Sequence, residues 1–148
     1  MLPDDPTPEF ETPVRFDTRM AVILSSGLAP WQELNVTAFL SSGLAADPSL
    51  LGETYVDADD IEYLPLLGQP IMIFTAEPEV LAAARAKAVE REMRVAIYIR
   101  EMFSTGHDMA NRAAVRAVGS LDLDLVGVGL HGPRNAVDRL TKAARLHD

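Results

Sequence analysis

Met20-Ala21-Val22-Ile23-Leu24, running on through Gly27-Leu28-Ala29-Pro30 into Trp31-Gln32-Glu33-Leu34-Asn35-Val36-Thr37-Ala38-Phe39-Leu40, is the stretch on which the fold turns. Five apolar residues in succession, without alternation, describe a strand covered on both faces, so the strand predicted over 15–25 is central to its sheet. Gly27 and Pro30 then turn the chain. Pro30 suits the first turn of a helix, and Gly43 is read as the cap that ends it. Leu34, Ala38 and Leu40, with Trp31 and Phe39, make this helix apolar over most of its circumference. A buried strand that feeds a helix is the building unit of open α/β sheets, which place ligands where a strand ends and the next helix begins.

Outward from this unit the same alternation continues. Glu53-Thr54-Tyr55-Val56 and Ile61-Glu62-Tyr63-Leu64 flank Asp57-Ala58-Asp59-Asp60 and predict a hairpin with an acidic turn. A strand is expected over 69–75, a helix over 77–92 with acidic residues in its first turn, and a strand over 94–99. A helix over 106–118, a strand over 121–130 and a helix over 133–146 complete the chain. The fold class is α/β: a three-layer α/β/α sandwich around a mixed, mostly parallel sheet, with the hairpin as an addition. Residues 1–14, with Pro3, Pro6, Pro8 and Pro13 among acidic residues, read as a mobile tail, and 15–148 as one domain.

Composition narrows the function classes. The chain carries 22 acidic and 13 basic residues, a formal net charge of −9, and two lysines, Lys87 and Lys142. Binding a phosphate backbone relies on clustered cations, so no nucleic acid partner is expected. The start of the chain lacks the basic and apolar segments of a secretory signal, and no apolar run has the length of a membrane span, so a cytoplasmic protein without a membrane partner is expected. The absence of cysteine excludes thiolate chemistry. His107, His131 and His147 are too scattered for a zinc site, and Asp57, Asp59 and Asp60 lack the central glycine and terminal glutamate of a calcium loop. Neither a metal nor a cofactor is expected.

The candidate site residues cluster at helix starts. Trp31 and Asn35 are four apart and face one way, as are His107 and Asn111 in Gly106-His107-Asp108-Met109-Ala110-Asn111-Arg112. Asn35 on an apolar face either ties the helix to a neighbouring loop or meets a ligand, and Trp31 is either a pocket wall or packing. His107 is a candidate general base, with Glu101 or Asp108 to orient it and Asn111 or Asn35 to hold a substrate oxygen; the competing reading is a helix capped by Ser104 or Thr105 with His107 in solvent. Gly127 and Gly129 share a strand face that admits close approach of a helix or ligand. Beyond Gly132-Pro133, Arg134 and His131 add positive charge to a helix start that suits an anion.

These motifs resemble the domain of unknown function 2000 family of uncharacterised bacterial proteins. The resemblance is carried by Leu28-Ala29-Pro30-Trp31-Gln32 with Leu34 to Leu40, Gly52-Glu53 with the hairpin, Thr105-Gly106-His107-Asp108 with Asn111-Arg112, and Gly132-Pro133-Arg134-Asn135-Ala136-Val137-Asp138. It implies the fold of peptidyl-tRNA hydrolase II. In those enzymes a lysine-containing turn opens the first helix; here Pro30 to Asn35 holds none, while Glu101 stands where an acid follows a Val-Ile-Arg-Asp-like strand. The expected function is a small-ligand or protein-binding module, a homo-oligomer being admissible. The alternative is a hydrolase of an acyl or amide bond with Glu101 and His107 as catalytic residues and Trp31, Asn35, Asn111 and Arg134 holding the ligand.

The charge balance yields a first prediction. In filter binding at physiological salt the protein should not retain tRNA, and micromolar affinity that falls steeply with added salt would overturn it.

Overall fold

The central strand forms, though from Thr18 rather than from residue 15, and everything else is arranged around it. In the computed structural model, which describes residues 13–148, β1 (Thr18–Ser25) is buried from Met20 to Ser25 and lies in the middle of a five-stranded sheet. The tail expected over 1–14 lies, up to residue 12, outside the described residues. The chain continues through α1 (Pro30–Leu44), the hairpin β2 (Tyr55–Val56) and β3 (Glu62–Tyr63), β4 (Ile71–Ala76), α2 (Pro78–Glu90) and β5 (Arg94–Ile99). A 3-10 turn (Arg100–Ser104), α3 (Asp108–Arg116), β6 (Leu125–Pro133), α4 (Arg134–Leu140) and β7 (Arg145–Leu146) follow.

The sheet order is β5-β6-β1-β4-β7. The expectation of a mostly parallel sheet is corrected here: β1 and β4 pair in parallel, whereas β6 runs antiparallel to both β1 and β5, and β7 antiparallel to β4. β1, β4 and β5 do point the same way, as helix-linked strands should. The difference arises after β5. The nine residues of α3 span only about 13 Å at 1.5 Å per residue, too little to carry the chain back along the sheet. The chain therefore re-enters at the end it left, where Ile99 faces Leu125, and β6 fills the slot between β5 and β1 in reverse.

Alternation along β1 supplies two cores. Val22 and Leu24 pack with Val36, Leu40, Tyr98 and Val126 beneath α1, whereas Ile23 packs with Leu81, Ala84, Ala88, Val128 and Leu130 beneath α2. The buried residues of α1, Val36, Leu40 and Leu44, are four apart and form one stripe; Leu81, Ala84 and Ala88, three and four apart, form another on α2. Of the expected core residues, Val22, Leu24, Val126 and Val128 are buried, while Ile73 and Ile97 are only partly so because β4 and β5 lie nearer the sheet edges.

Several boundaries also move. Gly43 does not cap α1, which runs on to Leu44 with Ala45 as its cap; a Cβ at Gly43 would stand 3.2 Å from the Ala96 Cβ, so the glycine lets the helix lie against β5. The helix expected over 133–146 ends at Leu140, where the Thr141 hydroxyl donates to the Val137 carbonyl at 3.0 Å, and the chain turns back to place Arg145 and Leu146 beside β4. The strand expected over 121–130 instead begins at Leu125, after a short 3-10 turn at Ser120–Asp122.

Gly127 and Gly129 do admit a helix. A Cβ at Gly127 would come within 2.4 Å of Val36 Cγ1 and 2.9 Å of Leu40 Cδ1, and one at Gly129 within 3.3 Å of Leu40 Cβ. Gly127→Ala should accordingly lower the unfolding free energy by about 1–3 kcal/mol through overpacking. Leu40→Ala, which empties the same seat, should cost about 2–5 kcal/mol. Denaturant titration with an unchanged m-value checks both.

Candidate functional site

Because β5 is an edge strand, the groove between α1 and the segment that follows β5 has no further strand to fill it. It remains as a cleft of about 740 Å³. Trp31, Asn35 and Phe39 of α1 line one wall, Ala96, Ile97 and Tyr98 of β5 the floor, and Phe103, His107, Asn111 and Arg116 the far side. The α1 wall follows from helical spacing. Positions 31, 35 and 39 are four apart and flank the buried 36–40–44 stripe, so seating that stripe on the sheet turns them towards β5.

Aromatic rings run along the cleft. Trp31 meets Phe103 edge-on with ring centres 5.6 Å apart, Phe103 lies 5.2 Å from Tyr98, and Tyr98 lies 5.9 Å from Phe39. Tyr98 is buried, whereas Trp31 and Phe39 are 60% and 52% exposed, a large apolar area left open to water. Asn35 Nδ2 donates to Tyr98 Oη at 3.1 Å. Burial pushes the Tyr98 hydroxyl above the ordinary tyrosine value, and the bond from Asn35 draws it part of the way back. Asn35 thus ties the helix to the strand β5 and not to a loop, and its carbonyl oxygen is the half of the amide that this bond does not use.

On the far side His107 is itself the N-cap of α3: its Nδ1 accepts from the Ala110 backbone N–H at 3.2 Å. The cap expected at Ser104 or Thr105 is replaced by the next polar residue along the chain. A neutral ring that accepts at Nδ1 carries its proton on Nε2, which then offers a donor rather than a base to the cleft. The Thr105 hydroxyl donates to the Met102 carbonyl at 3.0 Å and sits against the Asn111 carboxamide. Arg112 pairs with Asp108 at 2.8 Å, one helical turn away, and Arg116 lines the cleft with no ion-pair partner among the described residues.

The structure therefore brings Trp31, Asn35, His107 and Asn111 to one cleft and leaves two of the expected residues outside it. Glu101 is exposed on the 3-10 turn and is not among the cleft residues, because the turn commits its inward positions to Met102 and Phe103. Arg134 sits at the other end of the sheet, beside the start of β1, where its backbone N–H donates to the Asp17 carbonyl at 3.0 Å. His131 is half-buried on β6, and its Nε2 has no partner among the described residues. Sequence reasoning missed Tyr98, Phe103 and Arg116. The signal for Arg116 was present in the repeat of 108, 112 and 116 along one side of α3; Tyr98 and Phe103 look like ordinary strand and turn residues until β5 is known to be an edge.

Residues 18–148 match the family described as Protein of unknown function (DUF2000). Among solved structures, a protein of unknown function from Agrobacterium tumefaciens strain C58 is similar, with 43% sequence identity and a TM-score of 0.86 over 90% of this chain and 100% of that one. No curated protein matches the chain. Among the described residues, no helix is long and apolar enough to cross a membrane.

Titration checks how the start of α1 is held. His147 Nε2 lies 2.6 Å from Glu33 Oε2, and the imidazolium is favoured by the Asp148 carbonyl and then by Glu33, which together raise His147 above 6.5. A raised histidine binds its proton more tightly when folded, so its contribution is complete below pH 6.5 and is lost as the pH rises through the folded value. His131 has the opposite sign: burial, then Arg94, lowers it, so stability falls as the pH drops below 6.5. NMR titration should find His147 above 6.5 and His131 below it, and His147→Gln should remove the loss on the alkaline side.

Proposed function

We propose, for a chain that belongs to the DUF2000 family of proteins of unknown function, that the cleft between α1 and α3 binds a small carboxylic acid with a flat or aliphatic body. The observation that carries this reading is the pair of exposed rings, Trp31 and Phe39, two turns apart on one wall of a cleft whose opposite wall holds Arg116. Apolar walls with a few convergent polar groups are the usual form of a small-molecule site. The rings and Tyr98 would cover the body of the ligand, Arg116 would pair with its carboxylate, and Asn35, Asn111 and His107 Nε2 would take its remaining polar atoms. On this reading the protein is a cytoplasmic binding module on a peptidyl-tRNA hydrolase II-like fold, with no nucleic acid partner.

A hydrolase of an acyl or amide bond is the other reading of the same cleft. It has less support, because Glu101 stands outside and His107 Nδ1 is engaged by the helix it caps. A general base there would first have to give up the cap.

Trp31 is the chain's single tryptophan, so its fluorescence reports on the cleft directly. Titration with cinnamate, phenylpropionate and octanoate should give saturable quenching, with the corresponding amides binding at least about tenfold more weakly, the equivalent of about 1.4 kcal/mol. Arg116→Gln should erase the difference between acid and amide. Acids that fail to quench, or that quench Arg116→Gln equally well, would refute the proposed ligand class. Hydrolysis of an acyl ester that is lost in His107→Ala would favour the second reading.

A further inference from the structure

The hairpin projects from the body as a separate arm. Every residue from Leu51 to Leu64 is exposed, and Tyr55, Val56, Ile61, Tyr63 and Leu64 are each more than half open to solvent. Two strands of two residues each are not stable in water by themselves, and soluble monomers seldom leave so much contiguous apolar side chain uncovered. The arm is nevertheless built to hold one shape. Its base is closed by Gly52 N–H to the Leu66 carbonyl and Gly68 N–H to the Leu50 carbonyl, each 2.8 Å. Its turn is gathered on the Asp57 carboxylate, which accepts from the backbone of Asp59 and Ile61 and from the Tyr63 hydroxyl at 2.8–3.0 Å. An arm ordered in advance loses little entropy on docking.

Charge identifies what it docks on. Between residues 51 and 66 the arm carries Glu53, Asp57, Asp59, Asp60 and Glu62 and no cation, so two arms would repel one another. Between α2 and α4 lies a groove of about 650 Å³ with an apolar floor that includes Val80 and Leu140. Its rim holds Lys87, Arg139 and Lys142, which include both lysines of the chain, against a single carboxylate, Glu79. Lys87 has only a loose partner in Glu90 at 3.6 Å, and Arg139 and Lys142 have none among the described residues. An apolar floor under a cationic rim matches an apolar arm edged with carboxylates.

We propose that the protein is a symmetric dimer in which each subunit's hairpin lies in the α2/α4 groove of a second copy. The sixteen arm residues and nine groove residues of each subunit fall within the roughly 20–30 residues a side of a standard interface. The exchange leaves the cleft between α1 and α3 free, so it is independent of the ligand reading.

The test is the mass in solution by light scattering. Wild type should have twice the chain mass at 0.1 M NaCl and dissociate at progressively higher protein concentration as salt rises. Lys87→Glu with Lys142→Glu, and separately Asp59→Lys with Glu62→Lys, should each give monomers with an unchanged circular dichroism spectrum, since all four positions are exposed. A monomeric wild type overturns the proposal. So does a dimer that survives both charge reversals, or one that they leave intact while Leu34→Glu on α1 breaks it.

Discussion

The contact between α1 and two glycines of β6 sets the rest of the structure. With no Cβ at Gly127 and Gly129, the Val36–Leu40–Leu44 stripe comes down onto the backbone of the sheet, and the rotation of the helix about its axis is fixed by that seat. A helix standing off by even a side chain could turn to bury Trp31 or Phe39. Held close, it cannot, and both rings remain on the wall of the cleft. Packing strictness in one place thus produces unburied apolar surface in another.

That coupling also separates what the residues declare from what they leave unsaid. Met20 to Leu24 announce a doubly covered strand, the acidic turn from Asp57 to Asp60 announces a hairpin, and the strand at 94–99 appears at its read boundaries, because each depends on local pattern and turn chemistry. The reversal of β6 depends instead on the length of the segment between Ile99 and Leu125 and on a slot left open between strands distant in sequence. No local pattern records it. The same holds for the cleft: the polar residues at helix starts are visible one by one, whereas the edge position of β5 that turns Tyr98 and Phe103 into lining residues follows only from the strand order. Glu101 was assigned by analogy of position, and a single turn of 3-10 helix is enough to carry it out of reach.

Charge is distributed with similar economy. Acidic residues outnumber basic ones by 22 to 13, and three of the cations that have no ion-pair partner among the described residues sit beside concave apolar surface: Arg116 at the cleft, Arg139 and Lys142 at the α2/α4 groove. In a chain of net charge −9, such cations are the points where an anionic partner meets least repulsion on approach. Arg112 and Arg19, by contrast, are matched at 2.8 and 2.6 Å by Asp108 and Asp138 and serve the fold locally.

The position of β6 also orders events during synthesis. Residues up to Ile99 supply β1, β4 and β5, yet β5 touches the sheet only through β6, whose residues leave the ribosome some thirty positions later. Until then the nascent chain holds two open strand edges facing an empty lane, and α1 has no glycine seat on which to settle. Closing the sheet between β5 and β1 therefore waits for an apolar, glycine-bearing strand that is made after both of its neighbours. A ribosome pausing between Ile99 and Leu125 would prolong the interval in which those edges are open to other nascent chains.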